Sequence, residues 1–403
     1  MAQFNITLTD ELLHGLFSSN GRDQAVAKLL EEIFNQVLIA QSKEQIGADP
    51  YERTDERTAY RNGFRDRQLT TRVGHLHLRV PRHRNGDFST ELFERYQRSE
   101  QALVLAMMEM VVNGVSTRKV ENITEELCGK KFSKSTVSAL CEKLDPVVKA
   151  FQTRPLENHY PFLVVDALYL KVRVEHRVQS RGLLVAIGVN EEGHREIIGF
   201  QLTTTESENS WSDFFESLKE RGLTNVHLVT SDNHKGLVNA IQKQFQGATW
   251  QRCQTHFSRN MLDQTPKSLQ PGLKEDLRQL YEAIDIESAM KARNDILAKY
   301  ETTAPKAATL LDETFADITG VLILPLKYRK RLRTTNGVER LNQEIRRRER
   351  VIRIFPNEAS VIRLMGALLM EQSERWQTGR KYFEMELYYQ TMQQYHSKKD
   401  KVA

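Results

Sequence analysis

Three acidic residues lie in segments that could together form a site for divalent cations. Asp166 interrupts the apolar run 162–174 (FLVVDALYLKVRV), Asp232 ends a second apolar run at 226–232, and Glu339 lies near the start of a basic helical segment. Two carboxylates from strands and one from a helix could hold a pair of metal ions, which suits phosphodiester chemistry. This pattern favours an enzyme that cuts and joins DNA.

Each of the three acids also has a simpler structural explanation. Asp166 could lie at a strand bulge and accept hydrogen bonds from backbone amides, and Asp232 could cap the helix that follows it. Asn336 and Glu339 have the spacing of a capping box. Against the first explanation, a carboxylate inside a buried strand costs free energy unless it has a partner such as a cation. Glu344 competes with Glu339, but it lies about 140° further around the helix, so only one can face the ions.

Basic residues are clustered, although the net charge of +5 does not by itself indicate a polyanionic partner. The stretch 327–353 sets many arginines and lysines against three glutamates, and a second basic stretch spans 57–84. Such local density is typical of phosphate binding, whereas a single basic helix face is usually just solvated. Two stretches flanking a possible metal site favour nucleic acid. The residues predicted to contact DNA here are Arg340, Arg346, Arg347, Arg350 and Arg72.

Residues 116–145 have the pattern of two short helices separated by a turn that contains Gly129. Ser133 or Ser135 can cap the second helix. This arrangement is consistent with a helix-turn-helix, whose second helix would present Lys134, Ser135 and Thr136 to DNA. A helical hairpin that only joins domains explains the same pattern.

The pair Cys253 and His256 has the spacing of half a zinc site. A structural zinc site normally shows a second close pair of ligands, and none is visible, so a structural role or one in a substrate channel is favoured. His234 and Asn336 lie beside two of the acids and are expected near the same site. The chain has three cysteines, an odd number without a disulfide pattern, which predicts reduced thiols.

From residue 160 the predicted elements follow the order strand, strand, strand, helix, strand, helix, strand. In this α/β order the first and fourth strands can be neighbours, which would bring Asp166 and Asp232 together.

A mostly helical block at 254–325 separates the second acid from the third and is too long for a simple loop. The predicted regions are an N-terminal helical region at 1–62 for DNA binding or dimerisation, a small β region and linker at 63–100, helix-turn-helix-like helices at 101–150, a catalytic domain at 151–253 and 326–403 that ends in C-terminal helices, and a helical insertion at 254–325.

The bulk composition is that of a globular chain with several folding units. Of its 403 residues, 39% are hydrophobic and 28% are charged. No apolar run is long enough for a membrane span, and the N-terminal sequence MAQFNITLTDELL lacks a secretory signal pattern. These features predict a cytoplasmic location.

Five motifs together resemble one known family. They are VVDALYLKVR around Asp166, LVTSDNHKGL around Asp232, WQRCQTHFSRN at 250–260, TTNGVERLNQEIRRRERVIRIFPN at 334–357, and RNGFRDRQLTTRVGHLHLRVPR near the N-terminus. The chain is similar to the bacterial insertion-sequence transposases related to eukaryotic Mutator elements. The acidic positions match the family pattern.

The resemblance implies a ribonuclease-H-like catalytic domain whose Asp-Asp-Glu triad is Asp166, Asp232 and Glu339. It implies two Mg²⁺ ions per site, with Mn²⁺ as a substitute, and a dimer or larger assembly acting on double-stranded DNA at terminal inverted repeats and at a target. Cys253 and His256 match a family motif near the active site. A nucleoid-associated enzyme of the bacterial cytosol is expected.

Two other functions remain open from the sequence. The chain could be a DNA-binding regulator on an inactive transposase scaffold, although all three acids are present. It could also be a ribonuclease-H-like junction nuclease, which the helical insertion and the N-terminal binding region disfavour.

Overall fold

The computed structural model describes residues 6, 8–10, 22–49, 51–52, 54, 57–71, 73–84, 88–90, 92, 101–128 and 131–399. The chain divides into two compact units, Met1–Glu142 and Lys143–Ala403. Arg72, predicted to contact DNA, lies outside the described residues.

The first unit contains a helix packed on a two-stranded hairpin. The helix is α1 (Arg22–Ile46), and the strands are β1 (Arg61–Thr71) and the antiparallel β2 (Gly74–His83). Side chains of β2 alternate between buried and exposed because successive residues of a strand point to opposite faces. The buried set that packs together is Leu38, Leu69, Leu76, Leu78 and Val80.

Three short helices complete the described part of the first unit. They are α2 (Gln101–Val112), α3 (Thr117–Cys128) and α4 (Lys134–Cys141). The predicted cap of α4 is confirmed, because the Ser133 side chain accepts a hydrogen bond from the Thr136 amide at 3.2 Å. The two helices predicted between 116 and 145 are therefore present. Both a DNA-binding helix-turn-helix and a hairpin that only joins domains remain compatible with them.

The second unit is built on a five-stranded sheet. Its first elements, in chain order, are α5 (Asp145–Thr153), β3 (Phe162–Val174), β4 (Arg177–Val189), β5 (Arg195–Thr203), α6 (Glu208–Glu220), β6 (Leu228–Ser231), α7 (Lys235–Gln244) and β7 (Thr249–Arg252). The strand order is β5-β4-β3-β6-β7. The first three strands form an antiparallel meander, and β6 and β7 add to it in parallel. The predicted contact between the first and fourth strands is confirmed.

Apolar side chains cover both faces of this sheet. The aromatic residues of α6, such as Trp211 and Phe215, pack with Val165 and Val229 of the central strands in one cluster. A second cluster joins Phe162 to apolar residues of the C-terminal part. Burial on both faces explains why the central strands are nearly continuous apolar runs.

Gly193 makes the turn between β4 and β5 possible. Its φ is +91°, a conformation that favours glycine, and an added Cβ would lie 1.9 Å from the carbonyl oxygen of Phe383. The turn is bound to that segment through the Tyr382 amide, which donates to the Gly193 carbonyl at 2.7 Å.

Four helices follow the sheet and have a hydrophobic cluster of their own. They are α8 (Gln254–Asp263), α9 (Gln270–Tyr281), α10 (Ile286–Tyr300) and α11 (Pro305–Thr319). The helical character predicted for this block is confirmed. The later helices are α12 (Leu326–Leu332), α13 (Asn336–Ile352), α14 (Glu358–Gln377) and α15 (Glu386–Lys399). Within the described residues, no helix combines the length and apolar character needed to cross a bilayer.

Candidate active site

The two central parallel strands bring Asp166 and Asp232 within electrostatic reach of each other. β3 pairs with β6 in parallel up to Val164 with Thr230, two residues before each acid, and the charge of Asp232 is among the causes that raise the pKa of Asp166. β6 ends at Ser231, so Asp232 is the first residue past its carboxyl end. Ligand sites of open α/β sheets gather at such strand ends.

Asp166 lies in an unbroken part of its strand. β3 and β4 pair without a register shift, and Asp166 is opposite Val185. The bulge explanation is therefore wrong, although its second part holds, since a backbone hydrogen bond from Ala167 reaches the carboxylate and lowers its pKa. Burial is the main cause that raises the pKa of Asp166 to about 6, the charge of Asp232 adds to it, and a hydrogen bond from Asn342 opposes it. The carboxylate is thus costly to ionise in the absence of a cation.

Asp232 does not cap the helix that follows. The N-cap of α7 is His234, two residues later, and it makes no side-chain cap bond. Asp232 instead accepts a hydrogen bond at Oδ1 from the His234 amide at 3.3 Å. The capping explanation for Asp232 is therefore wrong.

Glu339 lies in the first turn of α13 and is half-buried. The helix begins at Asn336 and its N-cap is Thr335, so Asn336 is not the cap and the capping-box explanation is also wrong. The Glu339 amide instead donates to the Thr335 carbonyl at 2.9 Å.

The face of α13 that carries Glu339 lies against β3. Asn342 donates from Nδ2 to Oδ2 of Asp166 at 2.7 Å, and Arg346 donates from Nη1 to the carbonyl oxygen of Tyr169 at 2.9 Å. Glu339, Asn342 and Arg346 are spaced three and four residues apart, so they share one side of the helix. The third predicted acid is therefore on the helix that crosses the first.

Glu344 is held elsewhere. It pairs with Arg348 at 2.6 Å and with Arg347 at 3.2 Å, and the hydrogen bond from Arg348 is the main reason that its pKa is lowered. That only one of the two glutamates, Glu339 or Glu344, can face bound ions stays a prediction.

The structure does not gather the three carboxylates into a metal cage. Within the described residues, no group of three or more His, Cys, Asp or Glu side chains could hold an ion as arranged. The structure brings Asp166 and Asp232 within electrostatic reach of each other and places Glu339 on the crossing helix. The same observation gives no support to a zinc site at Cys253 and His256.

Cys253 joins the strand of Asp232 to the helix of Glu339. Its amide donates to the Ser231 carbonyl at 2.7 Å, and its Sγ accepts from the Thr335 amide at 3.3 Å. The same Sγ lies 3.4 Å from the Thr335 hydroxyl, and both residues are buried. Because Thr335 is the N-cap of α13, this contact sets where the helix begins.

His256 lies in the electric field of the acids. Its hydrogen bond with Cys253 is the main cause that raises the pKa of His256, and the charges of Asp166 and Asp232 add to it. Burial works against ionisation of Cys253, but hydrogen bonds with His256 and Thr335 lower the pKa of its thiol overall.

Glu206 is a fourth acid of the site that the sequence did not reveal. Its side chain is only 8% exposed, and Oε1 lies 3.4 Å from Nδ1 of His234. Tyr169 donates to its Oε2 at 3.0 Å and Trp211 donates to its Oε1 at 3.2 Å. Glu206 lies in a polar segment without periodicity, and its only signal is its position after the end of β5.

The predicted DNA-contacting residues differ in their exposure. Arg340 and Arg350 are exposed, whereas Arg346 is tied to Tyr169 and to Glu349, and Arg347 is paired with Glu344. In the first unit, the exposed start of α4 carries the remaining predicted residues, Lys134, Ser135 and Thr136.

Comparison with known proteins gives one consistent family. The family described as Transposase, Mutator family, matches residues 1–379. The chain is 47% identical over 386 residues to the transposase for insertion sequence element IS256 in transposon Tn4001 of Staphylococcus aureus, covering 95% of this chain and 99% of that protein.

Other relatives come from other bacteria. The transposase for insertion sequence element ISRM5 of Rhizobium meliloti is 45% identical, over 89% of this chain and 90% of that protein. The transposase for insertion sequence element IS1081 of Mycobacterium tuberculosis is 39% identical, over 96% of this chain and 94% of that protein. These matches confirm the resemblance carried by the five motifs. The chain therefore belongs to the Mutator family of transposases.

Proposed function

We propose that this transposase cleaves DNA at the terminal inverted repeats of its mobile element and joins the ends to a target, with Asp166, Asp232 and Glu339 as the catalytic carboxylates. One observation carries the proposal: Asp166 on β3 and Asp232 directly after the parallel neighbour β6 lie within electrostatic reach, and α13, which carries Glu339, is bonded to Asp166 through Asn342.

The three acids fit a pair of Mg²⁺ ions in their chemistry, and Mn²⁺ would substitute. Carboxylate oxygens are the ligands that Mg²⁺ prefers, and the pKa of Asp166, raised to about 6, reflects a burial cost that a cation would offset. Bound ions of this kind supply activation of a hydroxyl nucleophile and charge stabilisation at the phosphate. Because no described cluster of three acids is ready to hold an ion, the proposal requires Glu339 to move toward the two aspartates.

The other residues of the site hold the carboxylates in place. Asn342 orients Asp166 and favours its ionised form by donating a hydrogen bond to Oδ2. Cys253 and Thr335 position the start of α13, and Glu206 holds Tyr169 and His234 beside Asp232. None of these roles requires a covalent link between protein and DNA.

The strand arrangement supports a ribonuclease-H-like domain. A meander of three antiparallel strands is extended by two parallel strands, with helices on the connections and a helical block before the last acid. In this proposal α13 supplies the third acid from outside the sheet.

DNA is the partner that membership of a transposase family implies. We place end recognition in the first unit, with α3 and α4 as a helix-turn-helix whose exposed Lys134, Ser135 and Thr136 meet the DNA. Action as a homodimer on double-stranded DNA in the bacterial cytoplasm, associated with the nucleoid, completes the proposal.

The test replaces each acid with its amide. Asp166→Asn, Asp232→Asn and Glu339→Gln should each abolish Mg²⁺-dependent nicking and strand transfer on end-containing DNA and leave DNA binding intact. Glu344→Gln is the matched control, since Glu344 is bound to Arg347 and Arg348 and should retain activity. Strand transfer that survives in any one triad variant would remove that residue from the triad.

The products also separate this function from its alternatives. A regulator on an inactive scaffold would bind the ends without metal-dependent nicking by the wild-type protein. A junction nuclease would cut branched DNA and join nothing.

A further inference from the structure

Arg195, the first residue of β5, lies against two aromatic rings. Its Cζ atom lies 4.4 Å from the ring centroid of Trp376 and 4.1 Å from that of Tyr382. Stacking of a guanidinium on aromatic faces leaves its N–H donors free at the edge of the group. Among the described residues, none forms a hydrogen bond or an ion pair with the Arg195 side chain.

Two further arginines converge on the same place. Arg331 lies with Cζ 4.9 Å from the Tyr382 centroid and donates to the Tyr382 carbonyl. Burial lowers the pKa of the Arg195 guanidinium, and the charges of Arg331 and Arg340 lower it further, so the three cations lie within electrostatic reach. Within the described part of the chain, no carboxylate pairs with any of the three.

This cluster lies beside the beginning of α13. A Cβ added at Gly337 would meet Nη1 of Arg195 at 3.4 Å, and Gly337 is two residues before Glu339. Arg340 follows Glu339 directly and is exposed. The cluster therefore lies beside the start of the helix that carries the third acid.

We propose that Arg195, Arg331 and Arg340 bind a phosphodiester of the DNA next to the reacting strand. Three uncompensated guanidinium groups repel each other, and a phosphate would offset this repulsion through charge-assisted and bidentate hydrogen bonds. Trp376 and Tyr382 hold Arg195 flat and in place for that contact. The inference rests on the proposed function only in taking DNA as the ligand.

The test measures binding of a short fluorescent DNA duplex to the full chain in EDTA, across a range of salt concentrations. Arg195→Gln and Arg340→Gln should each weaken binding about tenfold and reduce the slope of log affinity against log salt by about one, as loss of one phosphate contact does. Arg195→Lys should fall between wild type and Arg195→Gln, because lysine keeps the charge but loses the planar group.

Arg375→Gln is the matched control, since Arg375 is exposed and paired with Glu371. It should leave both affinity and salt slope unchanged. If the slope of log affinity against log salt in Arg195→Gln and Arg340→Gln equals that of the control, the proposal is overturned. Arg340 is exposed, so its variant answers the question even if replacing Arg195 prevents folding.

A competition arm distinguishes DNA from free phosphate. Inorganic phosphate is added at a concentration equal to that of the phosphate groups in the duplex. If it displaces the duplex from the wild type but not from Arg195→Gln, the site binds small anions and the DNA assignment is overturned. Nicking in Mg²⁺ is assayed separately on the same proteins. Absence of nicking with a changed salt slope would defeat the proposed function alone, whereas nicking with an unchanged slope would defeat this site alone.

Discussion

Asn342 donates a hydrogen bond from Nδ2 to Oδ2 of Asp166 at 2.7 Å, and this bond links the helix of the third acid to the strand of the first. Asn342 is one turn beyond Glu339 on the same face of α13. The bond favours the ionised form of Asp166, against a burial cost that raises the pKa of Asp166 to about 6. The helix that carries the third acid therefore contacts the first acid and partly offsets the effect of burial on its pKa.

Replacing Asn342 should change how metal binding depends on pH. Metal ligands must be deprotonated, so wild-type affinity for Mn²⁺ should rise with pH and level off above about 6, the pKa of Asp166. Asn342→Ala removes the hydrogen bond that favours the ionised carboxylate, so the affinity for Mn²⁺ should level off at a pH about one unit higher. Calorimetric titration with Mn²⁺ at several pH values measures this shift.

Gln343→Ala is the control for that experiment, because Gln343 is exposed on the neighbouring position of α13. Its Mn²⁺ profile should match that of the wild type. A wild-type profile in Asn342→Ala would mean that the bond has no influence on the charge of Asp166.

Asp166 should make the metal-free protein less stable as the pH rises. Its folded pKa of about 6 is above the ordinary value of 3.8, so the folded state keeps a proton that the unfolded chain releases. Stability is therefore lost as the pH rises through this window, and the full penalty, roughly 2–3 kcal/mol, is present above it. Asp166→Asn should remove the penalty and be more stable than wild type near pH 7.5 in EDTA, with the difference vanishing near pH 4.

Urea unfolding at the two pH values measures the difference. Mg²⁺ should reduce the difference in free energy of unfolding between Asp166→Asn and the wild type at pH 7.5, because it stabilises only the protein that can bind it. Asp213→Asn serves as control at an exposed aspartate, where no such gain is expected. Equal stability of wild type and Asp166→Asn at pH 7.5 would contradict a buried, costly carboxylate.

The sequence predicted the sheet well because its central strands are buried on both faces. The run predicted at 162–174 is the strand Phe162–Val174, and the element order alone indicated that this strand neighbours the one ending at Ser231. A buried run interrupted by one carboxylate is a strong local signal. Both aspartates could therefore be placed together before any coordinates.

The polar contacts that complete the site could not be predicted in this way. The bond between Asn342 and Asp166 joins residues far apart in sequence, and nothing in the local pattern of α13 distinguishes Asn342 from Gln343. Glu206 lies in a segment with no periodicity, so no rule singles it out. The structural alternatives for Glu339 and Asp232 failed because helix starts shift by one or two residues, which pattern reading does not resolve.

The contact between Cys253 and Thr335 should matter for catalysis more than for DNA binding. Thr335→Val removes the hydroxyl next to the Cys253 sulfur, and Cys253→Ala removes the acceptor of the Thr335 amide. Each should cost about 1–2 kcal/mol of stability and lower nicking about tenfold, because the start of α13 and Glu339 lose their anchor. Nicking rates and duplex affinity are measured side by side.

Thr265→Val is the matched control for these variants. Thr265 is also buried and its hydroxyl donates to the Met261 carbonyl at 2.7 Å, but it lies in the helical block. It should lose similar stability and keep its nicking rate. Equal loss of nicking in the control and in Thr335→Val would reduce the contact to ordinary packing.

Arg346 and Arg350 should separate in their effects, although both were predicted to bind phosphate. Arg350 is exposed and should contribute to DNA affinity, so Arg350→Gln should reduce the salt slope of binding by about one. Arg346 is bonded to Tyr169 and Glu349, so Arg346→Gln should lower stability with little change in that slope. Fluorescence anisotropy over a series of salt concentrations measures this slope for both variants. An equal decrease in slope for Arg346→Gln and Arg350→Gln would mean that Arg346 contacts DNA as well.

Diffraction from crystals soaked in Mn²⁺, recorded for its anomalous signal, would show directly whether Asp166, Asp232 and Glu339 bind metal together. We expect two manganese peaks contacted by carboxylate oxygens of Asp166, Asp232 and Glu339. Manganese bound without Glu339, or no peak at these carboxylates at saturating Mn²⁺, would contradict it.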